Sequence, residues 1–255
     1  MKLTVLGSGT SIPHPRRSSS GYWLETTGGT IMLDFSASVP LRMAQERLDW
    51  AELDAIWISH FHLDHCAGIS PFLAGTKHAG IMKDRKKPLR FFGPAGTSNL
   101  IAEFNSVNNY RLLDQPFPVE IIEIEQLEKF EILPGVEAVA CKTPHTDESH
   151  AIHIRDTDDK TLVYSADTGF DELIATFANG VDLFILECTF IRDKPKLKHL
   201  ELAEAIYLIR KSKCKQAMLT HFYPEWDNVD FSAEVARIDS ASTVLQAFDS
   251  LRIQI

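Results

Sequence analysis

An α/β fold of two mixed β-sheets covered by outer helices is the class predicted by three features of this 255-residue sequence. Short apolar runs bounded by turn residues recur along the whole chain. Stretches with apolar residues three and four apart separate several of them. Turn-forming segments join some runs directly, which requires antiparallel neighbours beside parallel ones. Hydrophobic residues make up 44% of the chain, enough to bury a large core. No repeat, low-complexity tract or linker divides it, so residues 1–255 are read as a single domain.

In chain order, strands are predicted at Leu3–Gly9, Tyr22–Glu25, Thr30–Phe35, Ala55–Ser59, Leu89–Phe92, Val119–Ile124, Val136–Cys141, Ala151–Arg155, Leu162–Ser165, Leu183–Leu186, Ala217–Thr220 and Thr243–Phe248. Helices are predicted at Val39–Leu48, Gly96–Asn108, Asp171–Ala178, Leu200–Lys211 and Phe231–Ile238. Thr27-Gly28-Gly29 and Asp156–Lys160 read as hairpin connections, and Lys83–Pro88 and Asp114–Pro118 as loops.

The formal charge of −9 argues against a broad nucleic-acid face, because such binding relies on Lys and Arg displacing counterions from phosphates. The local basic clusters Arg16-Arg17, Lys83 with Arg85-Lys86-Lys87, and Lys194-Lys196-Lys198 read as solvated loops. Cys66, Cys141, Cys188 and Cys214 form no CxxC pair, so neither a disulfide framework nor a thiolate zinc ribbon is expected. Cys66 reads as a small buried side chain. Neither a cleavable signal nor a membrane-spanning run is evident, which gives a soluble cytoplasmic protein as the expectation, with no membrane partner.

The most informative segment is His60-Phe61-His62-Leu63-Asp64-His65, three imidazoles and a carboxylate directly after the apolar run Ala55–Ile58. Alternate residues of an extended segment project from one side, and imidazole with carboxylate suits Zn²⁺, Fe or Mn²⁺. Further donors close later apolar runs: His145 in KTPHT, Asp167 in YSADTG and His221 in LTHF. Divalent cations there would attract an anionic substrate despite the acidic balance.

These motifs, together with Leu6-Gly7-Ser8-Gly9-Thr10-Ser11, the segment Pro13–Ser20 and Leu33-Asp34, resemble the metallo-β-lactamase superfamily, and within it the ribonuclease Z-like branch of phosphodiesterases. The resemblance implies a four-layer αββα sandwich and a pair of divalent cations, Zn²⁺ foremost, with Mn²⁺ or Fe as alternatives. It implies that His60, His62 and His145 hold the first cation, that Asp64, His65 and His221 hold the second, and that Asp167 bridges them. A hydroxide shared by the pair would then attack phosphorus. His199, in Lys198-His199-Leu200, resembles the branch's extra histidine, which protonates the leaving alkoxide; Asp64 and His199 are the expected catalytic residues. Placed where a helix is expected to open, His199 should have a somewhat lowered pKa. Glu187 is a candidate to orient it, or is structural. Asp34 is a candidate acceptor for a ligating imidazole, or caps nearby amides.

Members that mature transfer RNA carry a protruding arm between the positions matching His145 and Asp167, where this chain has 21 residues. A folded tRNA substrate therefore loses ground. The expectation is a phosphodiesterase for cyclic nucleotides, cyclic phosphates or oligonucleotide ends. The alternatives are a ribonuclease Z-like endoribonuclease, a lactone, ester or thioester hydrolase on the same cations and, last, a non-catalytic ligand sensor. A homodimer is left open.

Overall fold

The computed structural model describes residues 1–195, 197–240 and 243–255. Fourteen strands are formed among them: β1 Lys2–Gly7, β2 Gly21–Thr26, β3 Gly29–Leu33, β4 Ala55–Trp57, β5 Leu89–Gly93, β6 Val119–Glu123, β7 Lys129–Leu133, β8 Val136–Lys142, β9 His150–Arg155, β10 Thr161–Tyr164, β11 Leu183–Glu187, β12 Gln216–Thr220, β13 Val244–Gln246 and β14 Arg252–Gln254. The helices are α1 Val39–Gln45, α2 Leu63–Cys66, α3 Ile69–His78, α4 Thr97–Ser106, α5 Glu172–Phe177, α6 Leu202–Ser212 and α7 Phe231–Ile238.

The strands make two seven-stranded mixed sheets, ordered β14-β1-β2-β3-β4-β5-β6 and β13-β12-β11-β10-β9-β8-β7. Period-two alternation explains how the first sheet serves two cores. Tyr22, Leu24, Ile31, Leu33 and Trp57 join the core shared with the second sheet, while their neighbours Trp23, Met32 and Ile56 pack outward with Val39 and Met43 of α1 and Phe72 and Leu73 of α3. The second sheet's residues share the larger core with Ile174 of α5, Ala205 and Ile206 of α6 and Val235 of α7. These layers bear out the αββα expectation, and both predicted hairpins join antiparallel pairs, β2 with β3 and β9 with β10.

Several boundaries differ from expectation. The strands β7 and β14 were not predicted: β7 alternates charged and apolar residues with only Ile132 and Leu133 buried, and β14 is a three-residue strand with a single buried residue, Ile253. The helix α3 was masked by Pro71 and Gly75, yet Pro71 lies in its first turn, where its missing N–H has no intrahelical partner to lose. The helix α1 stops before Leu48 because Arg47 takes a left-handed φ of 55°. In the basic cluster Lys83–Lys87, Arg85 is not solvated. Its buried guanidinium donates to the carbonyls of Ala51 and Leu53 at 2.5 and 2.7 Å and clamps the loop before β5. Lys196 lies outside the described residues.

Strands β3 and β4 run parallel, as do β10, β11 and β12, so the segments following all five open at carboxyl ends, the usual place for sites in α/β sheets. Asp34, His60, Asp167 and His221 lie just beyond β3, β4, β10 and β12, and Glu187 is the last residue of β11.

Candidate metal centre

Strand β4 ends at Trp57, so His60 and His62 sit in an extended segment, and His62, with ψ 142°, caps the single turn α2 that carries Asp64 and His65. The sequence motif is thus half loop and half helix. Three further positions turn sharply. Asp34, Ala166 and His221 have left-handed φ of 57°, 52° and 60°, a conformation that costs a non-glycine residue on the order of 1 kcal/mol. Such strain concentrated at strand ends marks a place where side-chain direction matters more than backbone comfort.

The seven donors converge in two groups that share Asp167. Around Asp167 Oδ2, His60 Nε2 and His145 Nε2 lie at 3.8 and 3.6 Å, and each of these nitrogens is 3.1 Å from His62 Nδ1. Around Asp167 Oδ1, His65 Nε2 and His221 Nε2 each lie at 3.3 Å, and both are 3.7 Å from Asp64 Oδ2. Ligands 2.0–2.1 Å from a tetrahedral cation are about 3.3 Å from one another, so these spacings match two such shells. His60, His145, Asp167, His65 and His221 are buried, Asp64 is half-buried, and His62 is exposed.

Hydrogen bonds fix the tautomers. His145 Nδ1–H donates to the Lys198 carbonyl at 2.9 Å, and His65 Nδ1–H to Asp34 Oδ2 at 2.7 Å. Ser59 Oγ gives its proton to Asp34 Oδ2, so at 3.0 Å it accepts from His60 Nδ1–H. Thr189 Oγ1 gives its proton to Glu187 Oε2 and accepts from His221 Nδ1–H at 2.9 Å. With Nδ1 engaged in each of these four rings, Nε2 is the atom turned toward the cluster, and in the neutral ring it carries the lone pair. His65 Nε2 and His221 Nε2 are buried with no hydrogen-bond partner. Two orphaned nitrogens facing two carboxylates are what a divalent cation would satisfy, so the donor set fits the expected metals.

Electrostatics separates the two groups. Burial lowers the pKa of His60 and His145, favouring neutral rings. Burial also opposes a charge on His65, yet Asp167 and Asp34 override it and raise its pKa well above the usual value. Burial works against ionised Asp167 and Asp64, and the surrounding imidazoles nevertheless hold both carboxyls well below their ordinary range.

Asp34 accepts from an imidazole and from a backbone amide alike. Besides His65 and Ser59 Oγ, it accepts Ser59 N–H at 2.8 Å and the Tyr164 hydroxyl at 2.6 Å. Glu187 accepts His199 Nδ1–H at 2.9 Å, the Thr168 and Leu200 amides, and the Thr189 hydroxyl. A ring nitrogen of His199 lies within 4.8 Å of donor atoms on Asp167 and His221, and its ring stacks on His221 at 5.5 Å. The expected lowering of its pKa is corrected: α6 begins at Leu202, beyond His199, and although burial disfavours the imidazolium, the Glu187 carboxylate raises the pKa. Cys66 is buried against the carbonyls of Phe61 and His62, and burial pushes its thiol up to about 12. Ser59, Tyr164 and Thr189 were not foreseen; Ser59 adjoins His60 and Tyr164 opens the YSADTG segment, whereas no donor motif signals Thr189.

A family model described as a beta-lactamase superfamily domain matches residues 30–222, which span all seven donors. The chain belongs to the metallo-β-lactamase superfamily. Within this superfamily its relatives fall in the ribonuclease Z-like branch. The "probable metallo-hydrolase YhfI" of Bacillus subtilis is 24% identical over 227 residues, covering 87% of this chain and 86% of that protein. A ribonuclease Z of Agathobacter rectalis is 21% identical over 282 residues, covering 90% of each. Among solved structures, YhfI aligns with a TM-score of 0.79 at 22% identity over 99% of this chain and 98% of its own. A diphosphatase of the PhnP family aligns at 0.75 and 20% identity over 100% and 97%. As a member of this superfamily the protein is a metal-dependent hydrolase. No helix among the described residues is long and apolar enough to cross a membrane.

Proposed function

We propose that the protein hydrolyses a small anionic phosphodiester, as a single hydrolase domain over residues 1–255. The observation that carries the reading is the Glu187–His199 pair set against the shared carboxylate: an imidazole with raised pKa, oriented by a buried carboxylate, beside Asp167 and His221. Under this proposal His60, His62 and His145 hold one cation, Asp64, His65 and His221 the other, and Asp167 both, with Zn²⁺ favoured by the mixed imidazole and carboxylate set and Mn²⁺ or Fe as alternatives. When bound, the cations supply Lewis acidity toward the phosphoryl oxygens and make water more acidic.

The chain's own residues do the rest. Asp34 and Thr189 hold His65 and His221 with their Nε2 atoms inward. Exposed His62 marks the open side by which substrate enters. His199 engages Glu187 through Nδ1, which leaves Nε2 to deliver a proton to the leaving alkoxide, while Glu187 stabilises the imidazolium before transfer. An alkoxide needs that proton far more than a thiolate or an activated phenolate does, which is why the acid points to phosphodiesters before thioesters. The names of the ribonuclease Z relative and of the diphosphatase neighbour both point to displacement at phosphorus, and the first of them to a phosphodiester. Between His145 and Asp167 the chain forms one short hairpin, β9 and β10, whose strands are part of the second sheet, so no arm for a folded RNA is built there.

The test is a panel on protein loaded with Zn²⁺ or Mn²⁺, setting bis(p-nitrophenyl) phosphate and cyclic nucleotides against p-nitrophenyl esters, lactones and thioesters. Higher kcat/KM for the phosphodiesters is expected. Acyl substrates ahead by an order of magnitude, or no phosphodiester turnover at verified metal content, would overturn the reading.

A further inference from the structure

Two tyrosines stand in the core between the sheets, where phenylalanine would fill the same space. Tyr22 of β2 and Tyr164 of β10 are 0% and 2% exposed, and their ring centroids lie 5.0 Å apart. Burial raises the pKa of both phenols, so both keep their protons. A hydroxyl taken from water into such a core costs free energy unless it finds a partner, and each of these finds one on the opposite sheet. Tyr22, in the first sheet, shares a hydrogen bond of 2.7 Å with Thr220 Oγ1 of β12, in the second. Tyr164, in the second sheet, donates at 2.6 Å to Asp34, which follows β3 of the first. The two bonds thus cross the inter-sheet core in opposite senses.

Both bonds end beside metal donors. Thr220 immediately precedes His221, Asp167 lies three residues beyond Tyr164, and Asp34 accepts from His65. The donors are themselves divided between the sheets. His60, His62, Asp64 and His65 follow β4 of the first, whereas His145, Asp167 and His221 follow β8, β10 and β12 of the second, so each half of the cluster draws on both. Repulsion between the Asp64 and Asp167 carboxylates works against that convergence.

Given the assignment of the seven donors to two cations, and whatever the substrate, we propose that Tyr22 and Tyr164 are positioning residues for the cation site. Their hydroxyls tie the two sheets together on its core side, so that donors from both sheets converge before a cation binds. Binding then does not have to draw the sheet ends together. A protein whose competent arrangement is only partly populated binds with an affinity reduced by that fraction, so removing a tie weakens the affinity for cations. A hydroxyl that served the fold alone would lower the melting temperature and leave the affinity unchanged.

Tyr22 gives the cleaner test, because Thr220 Oγ1, unlike Asp34, makes no hydrogen bond to a donor ring among the described residues. Tyr22→Phe leaves the Thr220 hydroxyl unpartnered in the core, at a cost in stability. Tyr22→Phe combined with Thr220→Val removes both polar ends, which returns most of that stability without returning the tie. Zn²⁺ affinity is measured by competition with a chromogenic chelator, beside thermal unfolding of the loaded and the chelator-treated protein. In both variants the cation assigned to Asp64, His65 and His221 is expected to bind about 2- to 10-fold more weakly, the factor that one net hydrogen bond is worth. Tyr164→Phe should weaken both cations, since Asp34 supports His65 directly and His60 through Ser59. Parent affinity in both Tyr22 variants, or a loss in the single variant that vanishes in the double one as stability returns, would overturn the ties and leave the donor assignment standing. Fewer than two equivalents of Zn²⁺ on the parent protein would overturn the donor assignment, and the ties with it.

Discussion

The two halves of the donor cluster are built on different principles. His60, His62 and His145 form an imidazole-rich half, open to solvent at His62, whose buried rings are biased toward the neutral form by desolvation. Asp64, His65 and His221 form a carboxylate-rich half, in which His65 is pulled toward the charged form by Asp34 and Asp167. A cation entering the first half would meet lone pairs already bare; one entering the second would have to displace a proton that the carboxylates attract to His65. Asp167, with one oxygen facing each half, is the only one of the seven donors common to both.

That contrast can be broken most severely at the shared residue. Asp167→Ala should empty both halves and lower turnover by roughly 10³-fold or more, since the Lewis-acid contribution is worth several kcal/mol; metal analysis alongside kinetics checks it, and retention of two equivalents would refute the bridging assignment. Next in size, His199→Ala should keep full metal content and lose about 10²- to 10⁴-fold in rate on unactivated diesters, with little loss on p-nitrophenyl leaving groups. The sign of its pH effect follows from the raised pKa: the acid form persists above the ordinary imidazole range, and rate falls as pH rises through that value. A basic limb unchanged in the variant would remove His199 from that role.

Asp34→Asn sharpens the comparison, because it should weaken cation affinity in the second half, where Asp34 holds His65 directly, by about 10- to 100-fold, and in the first half by less, since His60 depends on Asp34 only through Ser59. Competition with a chromogenic chelator resolves the two equivalents. The mildest manipulation is pH itself. Because the pKa of metal-free His65 is raised and those of His60 and His145 are lowered, acidification from neutrality should release the second-half cation first. Stepwise metal release in the reverse order, followed in single-half variants, would contradict the electrostatic distinction between the halves.

Much of this site is legible in the chain alone, for a reason visible at particular residues. His60, His62, Asp64, His65, His145, Asp167 and His221 all follow apolar runs, and a polar donor at the end of a buried strand is costly to desolvate unless a ligand or a partner satisfies it. Their supports are harder to read. Ser59, Tyr164 and Thr189 are residue types common anywhere, and the partner of His145 is the backbone carbonyl of Lys198, which leaves no trace in a sequence. His199 stands out by its motif, but the direction of its pKa does not. That direction depends on Glu187, twelve residues earlier and a hydrogen bond away.

By itself, the sequence determined the alternation of strands and helices, the layered α/β class and the chemistry of the donors, because hydrophobic periodicity and donor type are local properties of the chain. Only tertiary structure decided which oxygen of Asp167 faces which half, which ring nitrogen of each histidine is left bare, and which imidazoles are pushed toward or away from their charged forms. Those outcomes depend on burial and on partners brought from distant strands, and an electrostatic environment does not exist until the sheets have closed around it.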